Sequence, residues 1–273
     1  ANGTSRQYRV TPSALDVQAA FEAQSEVQEL NDYFNLFFTN SKIHISDSLL
    51  SSQGKKALND NLEWGKINNQ IGYLGITSFA GFLNKDFTRA QQIDSIKTHM
   101  DEIITAFQDT KAIIIDISFN FGGYDASALT IASYFTDELV EAFTCEVFNN
   151  GKFYQEDKVF IQPAKNNYTK PVYILMTDIS RSAAEGFAMM MDALPNVTLI
   201  GTNTLGILSG MLGKSIGDYY TTYSNQRLVN TNGEHFEGTG VQPDVELKVF
   251  PKDQVMKGHL NAVKTIMEVI EDN

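Results

Sequence analysis

The chain has 273 residues, 42% of them hydrophobic and 18 of them Phe, enough for one large domain or two small ones around a real core. Its 33 acidic residues outweigh 21 basic ones, a formal charge of −12, so no basic stripe is available to displace counterions from a nucleic-acid backbone. A single cysteine, Cys145, excludes an internal disulfide and a cysteine-rich metal site, and no run of 18 apolar residues offers a membrane span.

The start, Ala1 to Ser5, is polar and lacks a Met, so it reads as a processed or truncated end rather than a signal peptide. Residues 11 to 39 carry a helical pattern, with Thr11 as N-cap and Pro12 at the first helical position. Lys42 to Ile45 alternates polar and apolar, which predicts a short strand with His44 turned to the surface. From residue 62 the pattern changes. Ile71 to Phe79 reads as a strand, Asp86 to Phe107 as an amphipathic helix, Ala112 to Ile117 as a buried strand and Asp125 to Phe135 as a helix. Strands follow near 140–148, 157–162 and 171–177, with Cys145 read as a small buried hydrophobe. A helix opens after Ser182, Val197 to Ile200 is a further strand, and residues 214 to 247 read as hairpins turning at Asn232-Gly233 and Gly238. A tail from Pro251 ends in an amphipathic helix carrying Val263, Ile266, Met267 and Ile270. Apolar strands alternating with helices predict an α/β sheet with crossover connections. The expected organisation is a helical segment over 1–61, an α/β core over 62–250 and a C-terminal helix over 251–273. The four histidines form no short metal signature, and no metal or cofactor is expected; His99 and His259 fall on predicted helix surfaces without a role.

Four segments carry chemistry. Ser182-Ala183-Ala184-Glu185 follows a buried strand and opens a helix, a turn that exposes a serine hydroxyl beside free backbone N–H groups. Ser-x-x-Glu is also a capping box, so the tetrapeptide alone does not separate a nucleophile from a cap. Gly122-Gly123, after the strand ending near Ile117, lets the backbone approach a ligand closely, or simply makes a tight turn. Gly201 to Gly210 is a glycine-rich loop at a strand's carboxyl end, where α/β sheets build their sites, and it lacks the GK[ST] ending of a phosphate-binding loop. Glu237 to Asp244 holds carboxylates on a constrained, glycine-flanked turn.

The order of these segments, preceded by Gly72-Tyr73-Leu74-Gly75-Ile76, resembles the S41 serine peptidases, which include the tail-specific C-terminal processing proteases, the tricorn core and the retinoid-binding protein modules. The match covers about residues 62 to 250. The resemblance implies a ClpP/crotonase-like core, a peptide or protein as substrate and a location in the periplasm or cell envelope. It also implies roles: Ser182 as nucleophile, the N–H groups of Ala183 and of Gly122 or Gly123 as oxyanion hole, Glu237 as the glutamate behind a histidine, and Ser209 as an orienting residue in the loop beside the nucleophile.

The chain departs from the family at the general base. The tail-specific proteases carry a lysine at the position of Ile207, and Lys214 falls in the next strand. The tricorn histidine matches about Gly75. A serine without a base is a weak nucleophile. Two readings follow: a C-terminal fragment whose histidine lies upstream, or a non-catalytic relative that binds peptide or an apolar ligand. His235, two residues from Glu237 on a shared strand face, is a further candidate base. A crotonase-type acyl-CoA enzyme is a third reading, disfavoured because nothing basic flanks the glycine turns. The sequence sets no oligomeric state.

Overall fold

The computed structural model describes residues 32, 37–50, 54–217, 219–251 and 255–272. A helical segment over 37–45 runs into a π turn, Ser46–Leu50. From β1 (Lys55–Ala57) the chain doubles back through β2 (Leu62–Ile67) into β3 (Ile71–Ile76), then passes through helix α1 (Arg89–Phe107) to β4 (Ala112–Asp116). Helix α2 (Asp125–Ala132) and a 3-10 turn lead into a long hairpin, β5 (Val140–Asn149) and β6 (Lys152–Ile161). Next come β7 (Val172–Met176), helix α3 (Ala183–Asp192), β8 (Val197–Gly201), a second hairpin of β9 (Met211–Ile216) and β10 (Tyr219–Ser224), then β11 (Gln226–Asn230), β12 (Val245–Glu246) and helix α4 (Val255–Asp272).

Seven strands form one mixed sheet in the order β1-β2-β3-β4-β7-β8-β12. The first three pair antiparallel, and β3, β4, β7, β8 and β12 run parallel. Both faces of this sheet are covered, which is why its central strands are apolar without a break. Ile113 and Ile115 of β4, with Val172, Ile174 and Met176 of β7, meet Ile96, Met100, Ile103 and Phe107 of α1 and the apolar faces of α2 and α3. The alternate residues Ala112, Ile114, Tyr173 and Leu175 face the other way and meet Ala262, Val263, Ile266 and Ile270 of α4, with Ile45 and Leu50. Gly72 makes room in the first layer, since a Cβ there would lie 2.8 Å from the Phe107 ring. β5 and β6 form a separate antiparallel sheet with β11, and β9 and β10 stand as a two-stranded ribbon.

The α/β architecture predicted from the alternation of elements is present. Four local expectations change. Residues 42–45 are helical, with Ile45 buried and Ile43 exposed, so their alternation is part of a helical face. The turns at Asn232-Gly233 and Gly238 exist but join no strand pair; the hairpin of this region is β9–β10 instead. Cys145 lies on β5 as expected, but only half-buried. His259 is not on a helix surface: it is 2% exposed. The helix expected over 11–39 falls almost wholly outside the described residues.

His259 is buried because it answers a buried acid. Its Nε2 lies 2.5 Å from Asp116 Oδ2, which also accepts the Tyr73 hydroxyl at 2.7 Å. Asp116 Oδ1 accepts the N–H and Oγ–H of Ser118 at 2.9 and 2.6 Å. These bonds anchor α4 to the end of β4 and fix the start of the turn toward Gly122. Burial pushes the Asp116 pKa up, but the charge and hydrogen bond of His259 and the two Ser118 bonds outweigh it and bring it to about 2. The unfolded carboxyl titrates near ~3.9. Its stabilisation, about 2 kcal/mol, is therefore complete above roughly pH 4 and is lost as pH falls through about 2. Urea unfolding of Asp116→Asn between about pH 5 and 2 should show a shallower acid decline than the native chain; an unchanged slope would contradict this origin.

Candidate active site

The parallel strand β7 ends against a tight turn locked from both sides. Ser180 N–H donates to Thr177 O at 2.9 Å, Ser180 Oγ–H to Ile117 O at 2.8 Å, and Thr177 Oγ–H to Ser118 O at 2.6 Å. The chain then reaches Ser182 at φ 58°, ψ −125°, a conformation that costs a non-glycine residue about 1–3 kcal/mol. An ordinary N-cap is extended, so Ser182 is held by its surroundings and not by local preference. The residue is exposed, while Ala183 to Met191 behind it are buried. Its N–H donates to Ile207 O at 3.0 Å and to Glu185 Oε2 at 2.9 Å.

Glu185 does more than close a capping box. It is fully buried, and its carboxylate also accepts Thr204 Oγ–H and Gly206 N–H on Oε1, both at 2.6 Å, and Ile207 N–H on Oε2 at 2.9 Å. Four donors around one buried carboxylate satisfy its charge and tie the glycine-rich loop to the serine turn. The sequence identified Glu185 as the fourth residue of a cap. It gave no sign of partners 19 to 22 positions away, because those donors are a hydroxyl and two backbone amides with no residue signature.

Of the paired glycines, Gly122 lies against the serine and Gly123 against the backbone of Phe79 and Ala80. A Cβ on Gly122, at φ +93°, would sit 2.7 Å from Ser182 Cβ and 2.7 Å from Arg181 O. A Cβ on Gly123, at φ +145°, would run into the Phe79 and Ala80 backbone. The two amides differ. Gly122 N–H is taken by the Asn120 side-chain oxygen at 2.8 Å, and Asn120 is in turn held by its amide to Ile76 O at 3.0 Å. Among the described residues, the N–H groups of Gly123 and Ala183 have no acceptor.

Glu237 and Ser209 belong to the wall of the loop. Glu237 Oε2 accepts the N–H groups of Leu208 and Ser209, both at 2.8 Å, and Oε1 takes part in neither bond. Ser209 Oγ–H donates to Gln226 O at 2.6 Å and touches the Ser224 hydroxyl, fastening the loop to the base of the β9–β10 ribbon rather than to Ser182. Ile207 lies beside the serine through its carbonyl, and the residue is 47% exposed. His235 is exposed, and among the described residues Ser182 Oγ meets no histidine, lysine or carboxylate within hydrogen-bond distance. No group of three or more His, Cys, Asp or Glu able to hold a metal occurs among the described residues.

Ser182 is thus an exposed serine on a strand-to-helix turn, followed directly by the open N–H of Ala183. The family model for peptidase family S41 matches residues 70–247, and the chain belongs to that family. It is 29% identical over 198 residues to the carboxy-terminal processing protease CtpA of Bacillus subtilis, covering 72% of this chain and 39% of that protein. The chain thus spans about two fifths of the length of that relative. Among solved structures, a peptidase candidate from Parabacteroides merdae superposes with a TM-score of 0.70 at 23% identity, covering 83% of this chain and 69% of that one. Mature CPAF in complex with lactacystin gives 0.63 at 16% identity, covering 78% and 55%. These two likenesses establish the fold.

The position of Glu185 makes a stability prediction. Glu185→Gln replaces one acceptor with an amide that opposes a backbone N–H. The variant should lose about 3 kcal/mol in urea unfolding. Loop 204–207 should exchange its amide hydrogens faster than in the native chain; native stability and exchange in the variant would refute the clamp.

Proposed function

We propose that this chain carries the core of a serine endopeptidase of the S41 type, with Ser182 as the acylated nucleophile. One observation supports this above the rest: Ser182 is exposed at positive φ and packed against Gly122, and among the described residues the N–H groups of the next residue, Ala183, and of Gly123 have no acceptor. In this reading Ser182 Oγ attacks the scissile carbonyl and those two amides receive the oxyanion. Removing one such donor costs a factor of about 10²–10³ in rate. Gly122 contributes space, because its own N–H is spent on Asn120. Ser209 and the Oε2 atom of Glu237 keep the loop in place.

The proton of Ser182 goes to a base contributed from outside this chain, a histidine held by the unused Oε1 of Glu237. That base then protonates the leaving amine, and water hydrolyses the acyl-enzyme. Peptide lies extended along a strand edge beside the site. The chemistry calls for no metal or cofactor. A location at the cell envelope belongs to the same proposal and rests on the family; no helix among the described residues is long and apolar enough to cross a membrane.

A fluorophosphonate probe tests the nucleophile. The longest polypeptide that the gene encodes should be labelled at Ser182, read by mass spectrometry, and Ser182→Ala should not. Absence of label on the native protein would favour the other reading, an S41-fold module that binds peptide or an apolar ligand without cleaving it. The missing base makes a second prediction. Ile207 holds the place of the tail-specific lysine and its carbonyl already bonds Ser182 N–H. Ile207→Lys should raise the labelling rate of the present chain by at least about tenfold, the low end of general-base catalysis, with a pH dependence set by the new amine. An unchanged rate would mean that position 207 does not direct its side chain at the hydroxyl.

A further inference from the structure

We infer that the cavity beside Gly123 is a substrate subsite that takes a carboxamide side chain, Asn or Gln, at a position flanking the scissile bond. This inference rests on the peptidase reading of Ser182. The cavity measures 270 Å³ and is lined by Arg89, Gln92 and Ile93 of α1 and by Gly123, Tyr124 and Asp125 at the start of α2. It shares Gly123 with the proposed oxyanion hole, so a side chain from the residue held there has only a short way to reach it. The volume suits one side chain and is too small for a folded segment.

The lining is polar and incompletely paired. Arg89 stacks its guanidinium 4.8 Å from the centroid of the Tyr124 ring and, among the described residues, forms no ion pair. Asp125 likewise has no ion-pair partner among them, and loss of solvent around its carboxyl raises its pKa. Among the described residues, Gln92 Oε1 is shielded from solvent without a donor. Its terminal torsion is soft, so the amide can turn toward an occupant at little cost. Among the described residues, Asp125 and Gln92 Oε1 therefore have no protein donor and Arg89 has no protein acceptor; Asp125 and Arg89 face solvent at the mouth and Gln92 Oε1 is shielded.

Four occupants can be compared. A leucine would leave the shielded Gln92 oxygen unpaired and would displace water from Arg89 and Asp125 without replacing its hydrogen bonds. A lysine would satisfy Asp125 but be repelled by Arg89. A glutamate would pair with Arg89 but be repelled by Asp125 and meet the Gln92 oxygen. A carboxamide matches each group: its NH₂ donates to Asp125 and Gln92, its carbonyl accepts from Arg89, and its neutrality suits walls whose charges cancel. A site that hydrogen-bonds its substrate also rejects analogues that cannot reciprocate more strongly than an apolar pocket does.

The experiment uses the longest product of the gene and a proteome-derived peptide library, with cut sites read by mass spectrometry and fluorophosphonate labelling of Ser182 run alongside. The expected result is label on Ser182 and enrichment of Asn or Gln by at least about tenfold at one position flanking the cut. In Asp125→Leu and Arg89→Leu the ratio of Gln to Leu at that position, taken within each variant, should fall by about tenfold. Label on Ser182 with enrichment of Leu, Lys or Glu, or with ratios unmoved by both substitutions, overturns the subsite and leaves the peptidase reading standing. No label on Ser182 and no cleavage brings down both together.

Discussion

The site depends on one buried carboxylate. Glu185 is fully buried and compensated by four donors, one from the serine turn and three from the glycine-rich loop. An ion in that position is tolerable only if its bonds are made, and its bonds are made only if the loop and the turn are both in place. The carboxylate therefore couples two segments that are distant in sequence. The strained backbone of Ser182 persists because this network, with Ile207 O on the same N–H, over-determines it.

The sheet supplies the platform that makes such a network possible. Parallel β4, β7 and β8 stand in register, with Ile115 beside Ile174 and Ile174 beside Leu199, so their carboxyl ends emerge at one edge. The turns after β4 and β7 then lace together: Arg181 N–H reaches Asn120 O, and Ser180 Oγ–H reaches Ile117 O. Gly201 closes the third strand at φ +134°, where a Cβ would run into Met176 O. On the opposite face His259 reaches Asp116 and brings α4 under the same edge. One hydrogen-bonded layer thus links the helix that ends the chain, the glycine turn and the serine turn.

Much of this was legible in the sequence, for identifiable reasons. The central strands read clearly because burial on both faces leaves no polar residue to blur the run, as in Ile113-Ile114-Ile115. The serine and glycine turns read clearly because strand, turn and helix signals coincide within a few residues. Other features were hidden because side-chain type does not encode a distant partner. His259 looked like a surface residue of an amphipathic helix, and only the depth of Asp116 at the end of β4 explains its burial. Gly122 and Gly123 looked equivalent, and the Asn120 oxygen distinguishes them by consuming one amide. The alternation at 42–45 failed as a strand signal because four residues cannot separate a period of 2 from a helical turn.

The empty base position follows from the same physics. What the loop gives the serine turn at position 207 is a carbonyl and an amide, to Ser182 N–H and Glu185 Oε2, and any residue but proline supplies both. Residue 207 is 47% exposed, and its bonds to that scaffold are made by its backbone alone. Lysine or isoleucine can therefore stand there without altering how the turn folds, so the identity of the base is free to vary while Glu185, Gly122 and the positive φ of Ser182 are fixed by mutual contact. In the proposed reading, a fold of this construction separates presenting a serine from activating it: the bonds that hold the turn run through the backbone and Glu185, and none of them requires a particular base.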